Sequence, residues 1–184
     1  MRFLLIALVL LTSCSASPPP PQRVVEQRTS AVDPPRGEAL LRLAMITGHN
    51  KARAELGLPP MEWNPALVVD AQVYARKLAA SGRFEHSEEP RGLQPEGENL
   101  WTGTRGAYSY EEMIGHWVEE RLSYRRGVTP DFSTTGHWQD VAHYTQIIWR
   151  DTVQFGCATA SNDTDDYLVC RYTPPGNVVG RFAT

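Results

Sequence analysis

Two cysteines in the last third of the chain, Cys157 and Cys170, have a spacing that itself implies chemistry. Alternation in Val153, Phe155, Cys157 and Thr159, and again in Tyr167, Val169 and Arg171, predicts two strands. The polar run Ser161 to Asp166 between them reads as a hairpin loop. Centring the hairpin there pairs position 161 with 166 and so sets Cys157 opposite Cys170, where a disulfide can form outside the reducing cytosol. The alternative is a pair of buried free thiols, and a one-residue slip in register would remove the bridge. A second signal lies in the adjacent acids Glu119 and Glu120. On a helix about 100° separates them, and Met113, Trp117, Glu120 and Tyr124 share a face, so Glu120 points with the apolar side and Glu119 with solvent.

These groups need elements to hold them. Ser109-Tyr110-Glu111-Glu112 is a capping box that opens the helix carrying Glu120. Upstream, Leu40, Leu41, Leu43, Ala44, Ile46 and Thr47 give a helical stripe running to Leu56 and bearing His49-Asn50 and Arg53, with Gly57 and Pro59-Pro60 as stops. Asn64-Pro65 starts a second helix, with Leu67, Ala71, Tyr74 and Leu78 on one face and Gly82 at its end. Residues 83 to 108 are rich in Gly, Glu and Pro and are expected to be loop, with short extended pieces near Phe84 and Leu100. Trp138 to Trp149 is expected to form a fourth helix.

The N-terminus reads differently. Arg2 precedes nine apolar residues, Phe3 to Leu11, which suit an export signal and are too short to span a bilayer. Leu11-Thr12-Ser13-Cys14 resembles the bacterial lipobox, so Cys14 is the expected first mature residue and lipid acceptor, with residues 1–13 removed. The alternative is an ordinary secretory signal with a chance cysteine. Residues 14–36 are the lipidated cysteine and a Ser- and Pro-rich tether, which if extended could reach roughly 70 Å from Ser15 to Arg36. The folded domain is then 37–184.

Charge excludes one function class. Lys and Arg number 18 against 21 Asp and Glu in 184 residues, a net charge of −3 that becomes −4 once Arg2 is lost. With no basic run to grip phosphates, nucleic acid is not an expected partner.

Two long segments are recognisable. His143-Tyr144-Thr145-Gln146-Ile147-Ile148-Trp149-Arg150-Asp151-Thr152 and Tyr167 to Gly180, with its Cys170-Arg171-Tyr172-Thr173-Pro174-Pro175-Gly176-Asn177 core, are similar to the paired signatures of the CAP superfamily. That superfamily comprises SCP-like domains: cysteine-rich secretory proteins, antigen 5 and pathogenesis-related 1 proteins. His49-Asn50-Lys51-Ala52-Arg53 and Gly97-Glu98-Asn99-Leu100 match its shorter motifs in the right order, so the resemblance covers about residues 40–181. It implies an α+β fold, a three-layer α-β-α sandwich of the PR-1-like type with a central antiparallel sheet. It also implies a shallow cleft lined by His86, Glu98, Glu120 and His143.

Two imidazoles and two carboxylates offer ligands for a divalent ion, with zinc the natural candidate and His86 and His143 the metal-binding pair. The departures are the lack of an H-E-x-x-H helix and the weak, partly hydrated binding that the resemblance implies. The alternative is a polar cleft whose Glu–His pairs simply satisfy one another. No catalytic residue is assigned firmly. Ser87 beside His86 is an idle neighbour rather than a nucleophile, and only a hydrolase reading would make Glu98 and Glu120 catalytic. Asn50 and Asn99 are expected to bond loop backbone, Gly176 and Gly180 to allow tight turns, Trp117 and Trp149 to be core, and Tyr144 and Gln146 to flank the cleft.

The expectation is therefore an exported cell-envelope lipoprotein, at the outer membrane or cell surface or released from it. Anchored through Cys14, it would bind a lipid or sterol-like small molecule, or an envelope partner, without catalysis. The competing expectation is a metal-dependent hydrolase or protease at the envelope using the His/Glu tetrad.

Overall fold

Asn64 accepts a hydrogen bond from the Ala66 N–H at 2.8 Å, and Pro65 fills the first helical position, so the helix Pro65–Ser81 starts where its free N–H groups are already answered. It stops at Gly82, whose φ of 65° is the left-handed conformation that glycine adopts without strain. In a computed structural model that describes residues 32–88 and 95–184, this helix is α2 of four. The others are α1 (Glu38–Ala54), α3 (Tyr110–Glu119) and α4 (Ala142–Ile147). The strands are β1 (Glu62–Trp63), β2 (Gly97–Thr104), β3 (Gln154–Ser161) and β4 (Asp165–Thr173). The signal over 1–13, the lipid-acceptor reading of Cys14 and the tether as far as residue 31 lie outside the described residues. At the domain's edge Arg36 is fixed, donating to Asp166 Oδ2 at 2.9 Å and lying over the Tyr110 ring.

The sheet order is β1-β3-β4-β2. β2, β4 and β3 are antiparallel, whereas the two-residue β1 adds a parallel edge, so the sheet is mixed. α2 covers one face over Leu100, Ala158, Tyr167 and Val169. α1, α3 and α4 cover the other over Trp101, Phe155, Cys157, Leu168, Cys170 and Tyr172. The result is an α+β three-layer sandwich. α2 lies so close that a Cβ on Gly156 would come within 2.6 Å of the Val68 nitrogen.

Several local expectations shift. The stretch read as mostly loop contains the eight-residue β2, whose residues are buried on both faces and so show no alternation. Cys157 pairs with Cys170 and Ser161 with Asp166, and the cysteines are joined by a disulfide; only the loop is shorter than drawn, since the strands run on into it. The disulfide face of β4 is Leu168, Cys170 and Tyr172, and the alternating set Tyr167 and Val169 packs under α2 instead. In α1 the buried stripe is Leu41, Ala44, Met45, His49, Ala52 and Arg53, while Leu40 and Leu43 face solvent. The predicted fourth helix splits into a 3-10 turn, Trp138–Val141, and α4. Likewise α3 ends at Glu119 and tightens into a 3-10 turn, Glu120–Ser123, so Glu120 is the first residue past the α-helix.

Two buried polar residues tie α1 to the rest. Arg53 donates to the carbonyls of Pro59, Ile147, Trp149 and Thr152, and burial followed by the nearby Arg150 charge lowers its pKa to about 10. His49 Nδ1–H donates to Met45 O at 2.7 Å, which leaves Nε2 to accept from Tyr172 O–H at 2.8 Å. Burial dominates the titration of His49 and brings its pKa down to about 3, so the ring is neutral.

Candidate functional site

Glu98 on β2 stands directly across the ladder from Arg171 on β4, and this cross-strand pair founds one half of the cleft. Arg171 Nη2 lies 2.9 Å from Glu98 Oε2, and Nη1 3.6 Å from Glu96 Oε2. Among the described residues Glu98 Oε2 accepts no hydrogen bond, so that contact acts through charge. Glu98 Oε1 accepts from His86 Nδ1–H at 2.7 Å and from the Ser87 N–H at 3.0 Å. Burial pushes the Glu98 pKa up, but the His86 bond, the Arg171 charge and the Ser87 N–H outweigh it and hold the carboxyl below its ordinary range. The segment bearing His86 is pinned to α2 by Tyr74, whose hydroxyl donates to Glu85 O at 2.6 Å. Ser87 has a structural part, its hydroxyl accepting from Arg171 Nη2 at 3.0 Å.

The second half is built from helix ends. Glu120 Oε2 accepts the N–H groups of His143 and Tyr144, both at 3.0 Å, and so answers free donors in the first turn of α4. Its Oε1 accepts from His143 Nδ1–H at 2.5 Å. The His143 ring stacks on Trp117, with centroids 5.7 Å apart and planes inclined by 14°. Trp117 is buried, as is Trp149. Glu119 is exposed, so of the adjacent acids it is Glu120 that faces inward.

His86, Glu98 and His143 all line one cleft of about 710 Å³, and Glu120 stands behind His143 rather than in the lining. The structure thus gathers the four residues as two Glu–His pairs. In each, a carboxylate holds Nδ1 and sets the orientation of the ring. Phe84, Leu100, Trp138, Ala142 and Pro175 give the cleft an apolar lining, and Gln139, Gln146 and Asn177 add amides. Tyr144 does not reach it. The ring is buried, edge-on to Tyr124 at 5.5 Å, and burial raises its hydroxyl pKa. Asn50 bonds the Met61 backbone as expected, whereas Asn99 donates to His143 O at the start of α4 rather than to a loop. Gly180 has a left-handed φ of 81°; Gly176 instead makes room for Gln146, whose Oε1 accepts its N–H.

Sequence reasoning missed Arg171 as a site residue. The available signal was a lone charge between Cys170 and Tyr172 in a strand buried on both faces. It also missed Trp138, which stands 40% exposed at the cleft.

The donor set bears on metal. Among the described residues no three or more His, Cys, Asp or Glu side chains gather as a metal cage. What the cleft offers is two imidazoles, each backed by a carboxylate, which are donors of the kind a divalent ion takes.

Known proteins share this arrangement of elements. The family model described as CAP, the cysteine-rich secretory protein family, matches residues 46–172. Pathogenesis-related protein 1C of Nicotiana tabacum is 36% identical over 74% of this chain and 76% of its own length. Pathogenesis-related protein 1 of Arabidopsis thaliana is 35% identical over 72% and 75%. Among solved structures, that titled as NaASP2 with Zn2+ superposes with a TM-score of 0.67 at 22% identity, covering 79% of this chain and 85% of that one, a likeness of fold. With matched signatures, a match over most of the domain and the same layered sheet, the chain belongs to the CAP, or cysteine-rich secretory protein, family.

Proposed function

We propose that this exported member of a secretory family works by binding rather than by turnover, holding an envelope ligand in the cleft between its two Glu–His pairs. Export goes with the family. Anchoring through a lipid on Cys14, with the domain carried on the tether, is part of the proposal and rests on the sequence alone.

The observation that carries the reading is that both carboxylates are tied to partners within the fold. Glu120 answers two backbone N–H groups and an imidazole, and Glu98 a backbone N–H, an imidazole and a guanidinium. A general base needs to reach the substrate's proton and to have a pKa near the working pH, whereas the Glu98 side chain is buried against Arg171 and its carboxyl is held low. What the cleft does offer is an apolar lining and two imidazoles whose Nε2 atoms have no partner among the described residues. A lipid or sterol-like molecule fits the apolar part, and an envelope partner fits the open mouth.

His86 and His143 would hold a divalent ion such as zinc, which would supply a positive charge for an anionic or carbonyl group of the ligand. Glu98 and Glu120 would keep the two rings in the required tautomer. Calorimetric titration of the full chain with zinc, beside a His86→Ala/His143→Ala variant, tests this. Binding that the variant loses supports the cleft as a metal-assisted binding site, and undiminished binding in the variant refutes it.

A further inference from the structure

We infer that the cleft takes an extended peptide with a basic residue, paired main chain to main chain with Glu98 on the free edge of β2. This rests on the reading of the cleft as a ligand site and names the ligand's class. Among the described residues β2 is an edge strand, bonded to β4 alone. In an antiparallel ladder, residues alternate between those whose N–H and C=O meet the partner and those whose groups point away. Two bonds fix the alternation here. Val153 N–H donates to Thr173 O, so odd-numbered residues of β4 bond toward β3 and even-numbered ones toward β2. With Gly97 opposite Tyr172 and Asn99 opposite Cys170, it is then the odd residues of β2 that meet β4, and Glu98 and Leu100 direct their main chain outward. Independently, Trp117 Nε1–H donates to Leu100 O at 3.2 Å from that outer side.

Trp117 therefore closes the edge at Leu100, but nothing does so at Glu98. Among the described residues neither its main-chain N–H nor its C=O has a partner outside the ladder. The Glu98 side chain is only 5% exposed while the residue as a whole is partly buried, so the surface it presents is main chain. Its neighbours Gly97, Asn99 and Leu100 are buried. The exposed groups open onto the cleft, beside Phe84 and Trp138.

A lipid tail in the cleft would take water from that N–H and C=O and return nothing, at a cost of about 1–3 kcal/mol for each group left unpaired. An extended peptide returns both bonds at once and sends alternate side chains to opposite sides. Charge selects among peptides. Among the described residues Glu85, Glu96 and Glu98 line the cleft and the Arg171 guanidinium faces two of them, Glu96 and Glu98, so carboxylates are in excess and complement a Lys or Arg on the incoming strand.

The probe is a mixture of acetyl-Xaa-Lys-Xaa-Lys-Xaa-amide peptides, with Xaa Val, Leu or Phe. It is titrated against the full chain in detergent, with amide hydrogen exchange read residue by residue. Binding is expected to slow exchange at the Glu98 amide at least about tenfold, the worth of one hydrogen bond, and to leave Thr102 unchanged. N-methylating the peptide amides, or replacing Lys by Glu, should each weaken binding roughly tenfold. Binding with no protection at Glu98, equal binding of the N-methylated mixture, or no binding at about 1 mM overturns the inference. Zinc uptake without peptide binding sinks this inference alone, whereas loss of both sinks the reading of the cleft as a ligand site.

Discussion

The two Glu–His pairs are chemically alike and mechanically different. At Glu98 the carboxylate is fixed by a buried guanidinium, and its histidine lies in the open, 66% exposed. At Glu120 the carboxylate is fixed by two backbone N–H groups of α4, and its histidine is 29% exposed with its ring against Trp117. In both, the acid belongs to the fold and the imidazole to the cleft. One anchor is a charge, the other a helix end, and the two should fail differently.

The largest effect comes from a third histidine and has to be separated first. The folded pKa of His49 lies near 3, below the 6.5 of an exposed ring, so the unfolded chain binds the extra proton. Its contribution is whole above pH about 6.5 and is lost as pH falls from there toward 3, about 4–5 kcal/mol in all. Glu98, also lowered, contributes fully above the ordinary carboxylate range and loses its contribution only as pH falls below that range. Urea unfolding from pH 7 to 3 should show the first loss beginning near 6.5, and a Glu98→Gln variant should keep that loss while flattening the acid end. A wild-type curve that is flat down to pH 4.5 would contradict the buried neutral ring.

Removing the charge anchor comes next. Arg171→Ala leaves Glu98 buried without its guanidinium, and should cost about 3 kcal/mol. Adding Glu98→Gln should recover part of this, since the double variant buries no lone charge. Glu120→Ala, which removes the helix-end anchor, should cost about 2 kcal/mol through unanswered N–H groups, with little dependence on salt. If Glu120→Ala proves the costlier at pH 7, the comparison of charge against helix end is inverted.

How much of this was written in the sequence varies by element. The hairpin register was legible because a polar loop centred it, and Glu120 because a helix face separates neighbouring residues. Of Gly97–Thr104 only a short extended piece near Leu100 was legible, since burial on both faces removes the alternation that marks the full length of a strand. The core stripe of α1 was misplaced because it contains His49 and Arg53, polar residues whose burial depends on hydrogen-bond partners that the fold supplies: the Met45 carbonyl, the Tyr172 hydroxyl and the carbonyls around Trp149. All four tetrad residues came from family resemblance, with Glu120 also marked by its helix face. Arg171 escaped because its role depends on the register of β2 against β4, and that pairing was not foreseen.

The smallest stability effect sharpens the comparison most. His86 gives one hydrogen bond to a carboxylate that keeps the Ser87 N–H and Arg171, and its ring is mostly solvated. His86→Ala should therefore change stability by less than about 0.5 kcal/mol. His143→Ala should cost more, since it strips the stack on Trp117 and leaves Glu120 Oε1 without its donor. In zinc titrations the two should rank together, because each would remove one of two ligands. A His86→Ala chain that unfolds as readily as His143→Ala would show that both rings are structural and that the cleft holds its histidines for the fold alone.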